Sequence, residues 1–197
     1  MRFLLAPEQR AFADSLDAML TAADTPSVVR AWGRGAPMSG RALWSRIAEA
    51  GVFALAVPEA YEGMGPRPVE LAVAFVELGR HAVPGPLVET VAAATLLTAL
   101  AARDDTGPAK RLLPALASGA STATLALPPT PTPVPYALDA DVADVRLAVS
   151  PAPKVPADPA DAPAPAHATD ATGAPRSATA AELRLAPPPG PPRPSLD

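Results

Sequence analysis

The sequence predicts a mainly α fold: a bundle of about five helices in residues 1–120, a few short β-strands in 121–149 and a Pro/Ala-rich irregular tail in 150–197. Apolar residues recur at helical spacing throughout the first segment. After Gly119 an alternating, strand-like pattern replaces that spacing. Of the 28 prolines, 18 lie after Leu127, where they remove backbone donors that helices and central strands need. The helical first part is therefore expected to supply most of the core.

The first two predicted helices are amphipathic. One begins at Pro7, because proline suits the first helical position, and ends at a breaker formed by residues 24–26. The other carries Trp44 on its apolar face and ends before Gly51, where a left-handed residue closes many helices. Trp44 is predicted to be the main core anchor of that helix.

The remaining three helices differ in their patterns. The third starts at Pro68 and ends near His81, and the cationic side chains of Arg80 and His81 suit the negative end of its dipole. The fourth starts at Pro86 and is apolar nearly all round, which predicts that other helices surround it. A fifth, shorter helix is predicted from Thr106 to Ala117.

The strand signals follow in two short segments. "STATLAL" and "ADVRLAV" alternate in strand fashion, and the proline-rich "PPTPTPVPY" between them fits neither a helix nor a central strand. Residues 150–181 have the composition of a flexible linker, within which no core is expected. Residues 182–186 are predicted to form one last short strand.

The segment "VPEAYEGMG", residues 57–65, admits three interpretations. A phosphate loop is not expected, because such loops follow a strand and run directly into a helix. Glu59 as a general base would need a neighbour or pocket that shifts its pKa, and no titratable cluster surrounds it in sequence. The preferred interpretation is a sharp corner between two helices, in which Gly63 and Gly65 supply backbone angles that other residues resist.

Composition excludes several classes of function. A net charge of −4 offers no positive field for nucleic acid. The absence of cysteine excludes disulfides and thiolate metal sites, and two histidines, His81 and His167, argue against a histidine-based zinc site, so no metal is predicted. The longest apolar run, residues 91–102, suits a buried helix better than a membrane span, and the N-terminus lacks a signal pattern. A cytoplasmic protein without membrane insertion is expected.

Several short motifs occur in a particular order. They are Trp44 with "AEAG" at 48–51, "VPE" at 57–59, Tyr61 with Gly63 and Gly65, and "ELGR" at 77–80. Their order and spacing resemble the N-terminal helical domain of acyl-CoA dehydrogenases over roughly the first 127 residues. "YALDADVADVRLAV" is similar to the start of that family's middle β domain. Glu62 stands where the family commonly has a glycine, which suggests a turn with one left-handed position fewer.

The resemblance implies an oxidoreductase of lipid metabolism that carries out FAD-linked α,β-dehydrogenation of an acyl-CoA thioester. In the family the base and much of the FAD grip belong to a C-terminal helical domain, and this sequence ends at Asp197 before such a domain. No catalytic residue is therefore predicted in this chain. A second dehydrogenase-type subunit, or a homo-oligomer, is expected to supply the missing groups.

The resemblance also implies candidate site residues. Where the family usually has a Thr-Glu-Pro type segment touching the flavin, this chain reads "ALPPT", so Leu127 and Thr130 are the candidate FAD contacts. The fourth helix accommodates acyl chains in the family, so Thr90, Ala93 and Leu97, on one helical face, are the predicted lining of the substrate pocket. Plain core packing is the alternative for these three residues.

Other interpretations stay open at this point. The chain could be a non-catalytic interaction or scaffold protein derived from the family, with its proline-rich tail as a tether, or a truncated gene product. Glu77 and Arg80 could pair on a solvated helix face, and Glu89 is expected to be exposed in the first turn of its helix. His81 is expected to be a helix-end cation rather than a catalyst.

Overall fold

The fold was obtained as a computed structural model that describes residues 4–126, 136–151 and 181–185. Within these ranges the chain is mainly α, as predicted, with six α-helices and three β-strands. Leu127, Thr130 and most of the predicted tail lie outside the described residues. The elements are α1 (Pro7–Thr21), α2 (Thr25–Gly33), α3 (Met38–Glu49), α4 (Pro68–Arg80), α5 (Leu87–Ala101), α6 (Gly107–Ala117), β1 (Ala123–Ala126), β2 (Val145–Pro151) and β3 (Ala181–Leu185).

The sequence predicts about five helices, and the described residues contain six. The additional helix, α2, begins at Thr25, inside the predicted breaker at residues 24–26. The chain does turn there, since Asp24 adopts a left-handed backbone conformation with φ 49°. Pro26 then lies in the first turn of α2, where a missing backbone N–H costs nothing because that N–H has no helical partner. A proline that ends one helix thus also begins the next.

The first hydrophobic core lies between α1, α3 and α4, and Trp44 anchors it as predicted. Trp44 is buried, and its ring stacks on Phe53 with centroids 4.3 Å apart. Its indole Nε1 donates a hydrogen bond to the Gly119 carbonyl at 3.1 Å, so the polar atom of this large side chain is satisfied. The other buried members are Leu16, Leu20, Val28, Leu43, Ile47, Val52, Ala74, Leu78 and Leu87.

The second core joins α5 and α6 to the sheet. Its buried members include Ala93, Leu97, Leu113, Ala123 and Leu147. The expectation that other helices surround α5 is wrong for one side of it, because Val88 is 62% exposed and Leu96 is 37% exposed. Among the described residues no helix, α5 included, has both the length and the apolar character needed to cross a membrane.

The corner at residues 57–65 is a structural turn, with a short 3₁₀ helix at Glu59–Tyr61. Gly65 has φ 79°, as a left-handed position requires. Gly63 is needed for a different reason, because a Cβ atom at this position would collide with the Val57 carbonyl oxygen. The expected loss of a left-handed position at Glu62 is wrong, since Glu62 itself adopts φ 67°.

The three strands form one sheet in the order β1-β2-β3. β1 pairs in parallel with β2, which places Leu125 opposite Leu147. β3 pairs with β2 antiparallel, at the position where the sequence predicts a strand over residues 182–186. Among the described strands β2 is central, so within the described residues the other edge of β1 has no strand partner, and that edge faces α5.

Candidate functional site

The predicted pocket residues Thr90, Ala93 and Leu97 all lie on the inner face of α5, where they are buried. Ala93 and Leu97 pack in the second core. Thr90 Oγ1 accepts a hydrogen bond from the Ala123 N–H at 2.9 Å and donates one to the Ala123 carbonyl at 3.1 Å. One hydroxyl therefore satisfies both backbone groups of a residue at the open edge of β1. These surroundings are those of core packing, and the pocket role of the three residues stays a prediction.

An open apolar groove lies on the other side of α5, between α5 and α4. Its volume is about 310 Å³. All six side chains that line it are apolar: Pro68, Leu71, Ala72, Phe75, Val88 and Val91. We call this feature the α4–α5 groove. A surface of this kind suits the apolar part of a ligand, because nothing in its lining demands a hydrogen bond.

A second cavity of about 330 Å³ continues the groove and shares Phe75 and Val88 with it. Phe75 and Gly79 of α4, together with Ala82 just after it, line this cavity, so it extends the groove toward the C-terminal end of α4. The other lining residues of the cavity are Leu78, Val83, Gly85, Leu87, Glu89 and Leu138. We call it the Glu89 cavity, because Glu89 is the only charged residue of its lining. Glu89 is half-buried in the first turn of α5, rather than exposed as expected.

The loop before β2 carries Leu138 to the Glu89 cavity and is held against α2 and α3. Trp32 Nε1 donates a hydrogen bond to Asp139 Oδ1 at 3.2 Å, and Arg41 donates one to the Val142 carbonyl at 2.7 Å. Burial raises the pKa of the Asp139 carboxyl, the hydrogen bond from Trp32 opposes this rise, and the nearby Asp141 adds to it. The loop is thus a fixed part of the cavity wall.

The polar side chains near the sheet bond mainly to one another and to the backbone. Thr124 Oγ1 donates to the Leu138 carbonyl at 2.6 Å, and the Thr122 hydroxyl donates to Asp144 at 2.9 Å. In the described part of the chain, the one buried side-chain polar atom without a partner is Arg146 Nε. A single N–H does not match FAD, which has a ring system with several donors and acceptors and two phosphates. The predicted flavin contacts Leu127 and Thr130 lie outside the described residues, so FAD binding stays a prediction.

Another group of polar side chains lies at the C-terminal ends of α1 and α4. Arg80 Nη1 donates to both carboxylate oxygens of Glu77, at 3.1 and 2.8 Å. The two side chains pair as predicted. The expectation that they lie on a solvated face is wrong for Glu77, which is only 6% exposed. His81 lies at the end of α4, as expected, and its Nε2 is 2.9 Å from Asp17 Oδ1. The spacing of Glu77 and Arg80 was visible in the sequence, whereas Asp17 is 64 residues away from His81 and carried no signal.

The groove residues were also missed as a site by the sequence. Ala72 and Phe75 lie in the third predicted helix, and Val88 lies in the fourth, which the sequence predicts to be apolar nearly all round. The sequence carried one signal for an exposed apolar face. The α5 helix has more apolar residues than a helix with a single buried stripe needs.

Comparisons with known proteins agree on one family. A sequence model described as the N-terminal domain of acyl-CoA dehydrogenases matches residues 6–120. Acyl-CoA dehydrogenase IpdE2 from Mycobacterium tuberculosis is 32% identical over 146 residues, which cover 73% of this chain and 43% of that protein. The chain thus spans less than half the length of this curated relative.

Two solved structures share the fold. The ChsE4–ChsE5 complex from Mycobacterium tuberculosis matches with a TM-score of 0.50 and 23% identity, covering 64% of this chain and 32% of that chain. An acyl-CoA dehydrogenase from Bacillus anthracis, solved in complex with FAD, matches with a TM-score of 0.54 and 17% identity, covering 74% of this chain and 29% of that chain. At these identities the likeness concerns the fold, whereas the match over residues 6–120 concerns the sequence. The chain belongs to the acyl-CoA dehydrogenase family, whose N-terminal helical domain it contains.

Proposed function

We propose that this chain takes part in the FAD-linked α,β-dehydrogenation of an acyl-CoA thioester, as one part of a two-chain enzyme of lipid metabolism. The observation that carries the proposal is the α4–α5 groove, an open space of about 310 Å³ lined only by apolar side chains. The acyl chain of such a substrate is apolar, and its burial yields about 25 cal/mol per Å² of surface removed from water. This chain would supply the wall on which the acyl group rests.

The predicted pocket residues Thr90, Ala93 and Leu97 would contribute to the α4–α5 groove indirectly. They tie α5 to β1 and the second core, and so hold Val88 and Val91 in place on the opposite side of the same helix. We expect their substitution to alter the groove through the position of α5.

A partner chain of the dehydrogenase type would supply the carboxylate base and the flavin contacts. Bound FAD supplies the acceptor for the hydride that leaves the β carbon, and the partner's base takes the α proton. One observation supports a partner: α4 and α5 expose the apolar side chains of Val69, Val76, Val88 and Leu96 to solvent. The structural neighbour ChsE4–ChsE5 is itself a complex of two proteins, and a second copy of this chain is the other arrangement to test.

The test is to purify the chain alone and after coexpression with candidate dehydrogenase-type partners. We expect the chain alone to be colourless, and the complex to copurify, to show the visible absorption of oxidised flavin and to reduce that flavin when acyl-CoA is added. A chain that never copurifies with such a partner, and stays colourless as a homo-oligomer, would rule out the proposal.

A second candidate function is that of a non-catalytic interaction module. The same exposed apolar side chains on α4 and α5 favour it, because they suit a protein surface as well as an acyl chain. The Val88→Asp variant separates the two candidates when turnover by the assembled complex is measured. Loss of turnover with the complex intact supports the substrate groove, and unchanged turnover with weakened assembly supports the interaction module.

A further inference from the structure

We propose that Asp17, Glu77 and His81 bind a divalent transition-metal ion, for which Zn²⁺ is the natural probe, and that this ion ties α1 to the end of α4. Each of the three side chains offers one ligand atom, and these atoms all lie within 4.8 Å of one another. The proposal concerns the folded domain itself and is independent of the acyl-CoA chemistry proposed above.

The backbone arrangement suits a metal site. Glu77 and His81 are four residues apart at the end of α4, so their side chains project to one side. Asp17 approaches from α1, and its Oδ1 is 2.9 Å from His81 Nε2. Bonds of about 2.1 Å to a tetrahedral zinc ion place ligand atoms about 3.4 Å apart. Asp17 Oδ1 and His81 Nε2, now 2.9 Å apart, must therefore separate slightly, and the Asp17 side chain can move because it is 45% exposed.

The ligand set indicates which ion would bind. One imidazole nitrogen with two carboxylate oxygens suits zinc and similar transition metals, whereas Mg²⁺ and Ca²⁺ prefer oxygen ligands alone. Three protein ligands also leave a fourth position for water, as in open zinc sites.

The helix packing favours a cation at this place. Gln9 Nε2 donates to Glu70 Oε1 at 3.1 Å near the start of both helices, and Asp17 meets His81 near their ends, so α1 and α4 run parallel. Parallel helices bring two negative dipole ends together, and a cation between them offsets this repulsion. Arg80 is the cation next to Glu77, whereas the partner of Asp17 among the described residues is the His81 imidazole.

Arg80 is the competitor of the metal ion. It holds both oxygens of the buried Glu77 carboxylate, yet its own side chain is 62% exposed. Displacing the mostly solvated Arg80 side chain costs little, provided that the metal ion takes over the charge of the buried Glu77 carboxylate. Removal of Arg80 should therefore strengthen metal binding, an effect that a purely structural ion-pair network does not predict.

The experiment measures Zn²⁺ binding by calorimetry, and thermal unfolding with and without Zn²⁺, on the full chain after treatment with a chelator. We expect one Zn²⁺ per chain and an unfolding temperature that rises with Zn²⁺, because a ligand that binds the folded state stabilises it. Mg²⁺ at the same concentration should leave the unfolding temperature unchanged. Absence of any Zn²⁺-dependent shift overturns the proposal.

Four variants locate the site. His81→Ala and Asp17→Asn should each weaken Zn²⁺ binding by at least about tenfold. Arg80→Gln should tighten it several-fold, a gain that cannot arise from misfolding. His167→Ala, which alters the other histidine of the sequence, is the matched control and should bind as the unaltered chain does. Binding that is lost in His167→Ala but kept in His81→Ala, or that Arg80→Gln leaves unchanged, contradicts the proposed site.

Discussion

The inner and outer faces of α5 are built from similar side chains but lie in opposite surroundings. On the inner face Ala93 and Leu97 are fully buried against α6 and the sheet. On the outer face Val88 and Leu96 are exposed to 62% and 37%, and Val88 lines the α4–α5 groove. Hydrophobicity therefore does not distinguish the two faces. Within the described residues, what distinguishes the two faces is whether another element packs against them, and the outer face is the one proposed above to meet an acyl chain or a partner.

The largest effect that would test this contrast comes from two adjacent leucines. Leu97→Ala removes a side chain that is 1% exposed and should lower the free energy of unfolding by about 2–5 kcal/mol. Leu96→Ala makes the same chemical change on the outer face and should cost less than about 1 kcal/mol. Urea unfolding of both variants measures the difference. Equal losses would show that the outer face is buried in the same way.

The next effect concerns the hydroxyl of Thr90. Thr90→Val keeps the shape of the side chain but leaves the N–H and carbonyl of Ala123 without this partner, which should cost about 1–3 kcal/mol of stability. Thr95→Val is the control, because the exposed Thr95 hydroxyl only bonds back to the Val91 carbonyl of its own helix, at 2.9 Å. We expect that control to change stability by less than about 0.5 kcal/mol. A difference of similar size for both threonines would contradict the proposed tie between α5 and β1.

A matched pair of valines tests the function of the outer face. Val88→Asp places a charge in the apolar groove and should weaken acyl-CoA binding by at least about tenfold, since the groove offers that charge no partner. Val76→Asp is the control, because Val76 is 59% exposed but does not line the groove. Each change should alter stability by less than about 1 kcal/mol. The two binding constants come from calorimetry on the assembled complex, and equal weakening by both variants would remove the groove as the acyl site.

The smallest expected effect is a pH dependence that arises at Asp139. Burial raises the pKa of Asp139 in the folded state above the ordinary value of 3.8, which applies to the unfolded chain. At pH values between the unfolded-state and folded-state pKa, the folded state therefore binds more protons than the unfolded state. Stability should therefore fall as pH rises through this window. The loss should be below about 1 kcal/mol, because the carboxylate is only half-buried and solvent screens it.

Asp139→Asn isolates this contribution. Asparagine keeps the acceptor for Trp32 Nε1 and tolerates the left-handed backbone at this position, where φ is 50°. The stability of the variant relative to the unaltered chain should rise with pH across the same window. Urea midpoints over a pH series measure this difference, and a difference that does not vary with pH would contradict it.

The helices were predictable from the sequence wherever the signal was local. The apolar spacing between Pro7 and Ala117 identifies five of the six helices in the described ranges. α2 was missed because Pro26 both ends one helical pattern and lies in the first turn of the next. Glu62 was misjudged because its left-handed conformation is imposed by the turn around it rather than by its own preference.

The candidate sites were less predictable than the fold. Thr90, Ala93 and Leu97 were grouped correctly on one face of α5, but nothing in an almost wholly apolar helix indicates which face meets the core. The meeting of Asp17 with Glu77 and His81 was invisible, because it depends on α1 packing in parallel along α4. Neither outcome follows from residues within a few positions of one another.

The sequence by itself determined the helical periodicity, the corner at residues 57–65 and the ordered motifs that identify the family. These features depend on backbone preferences and spacings over a few residues, which the chain carries wherever it folds. Only the tertiary structure decided which face of α5 is buried, what the Thr90 hydroxyl bonds to and which carboxylates surround His81. Burial and pairing depend on elements distant in sequence, because a side chain leaves water only where another element packs against it.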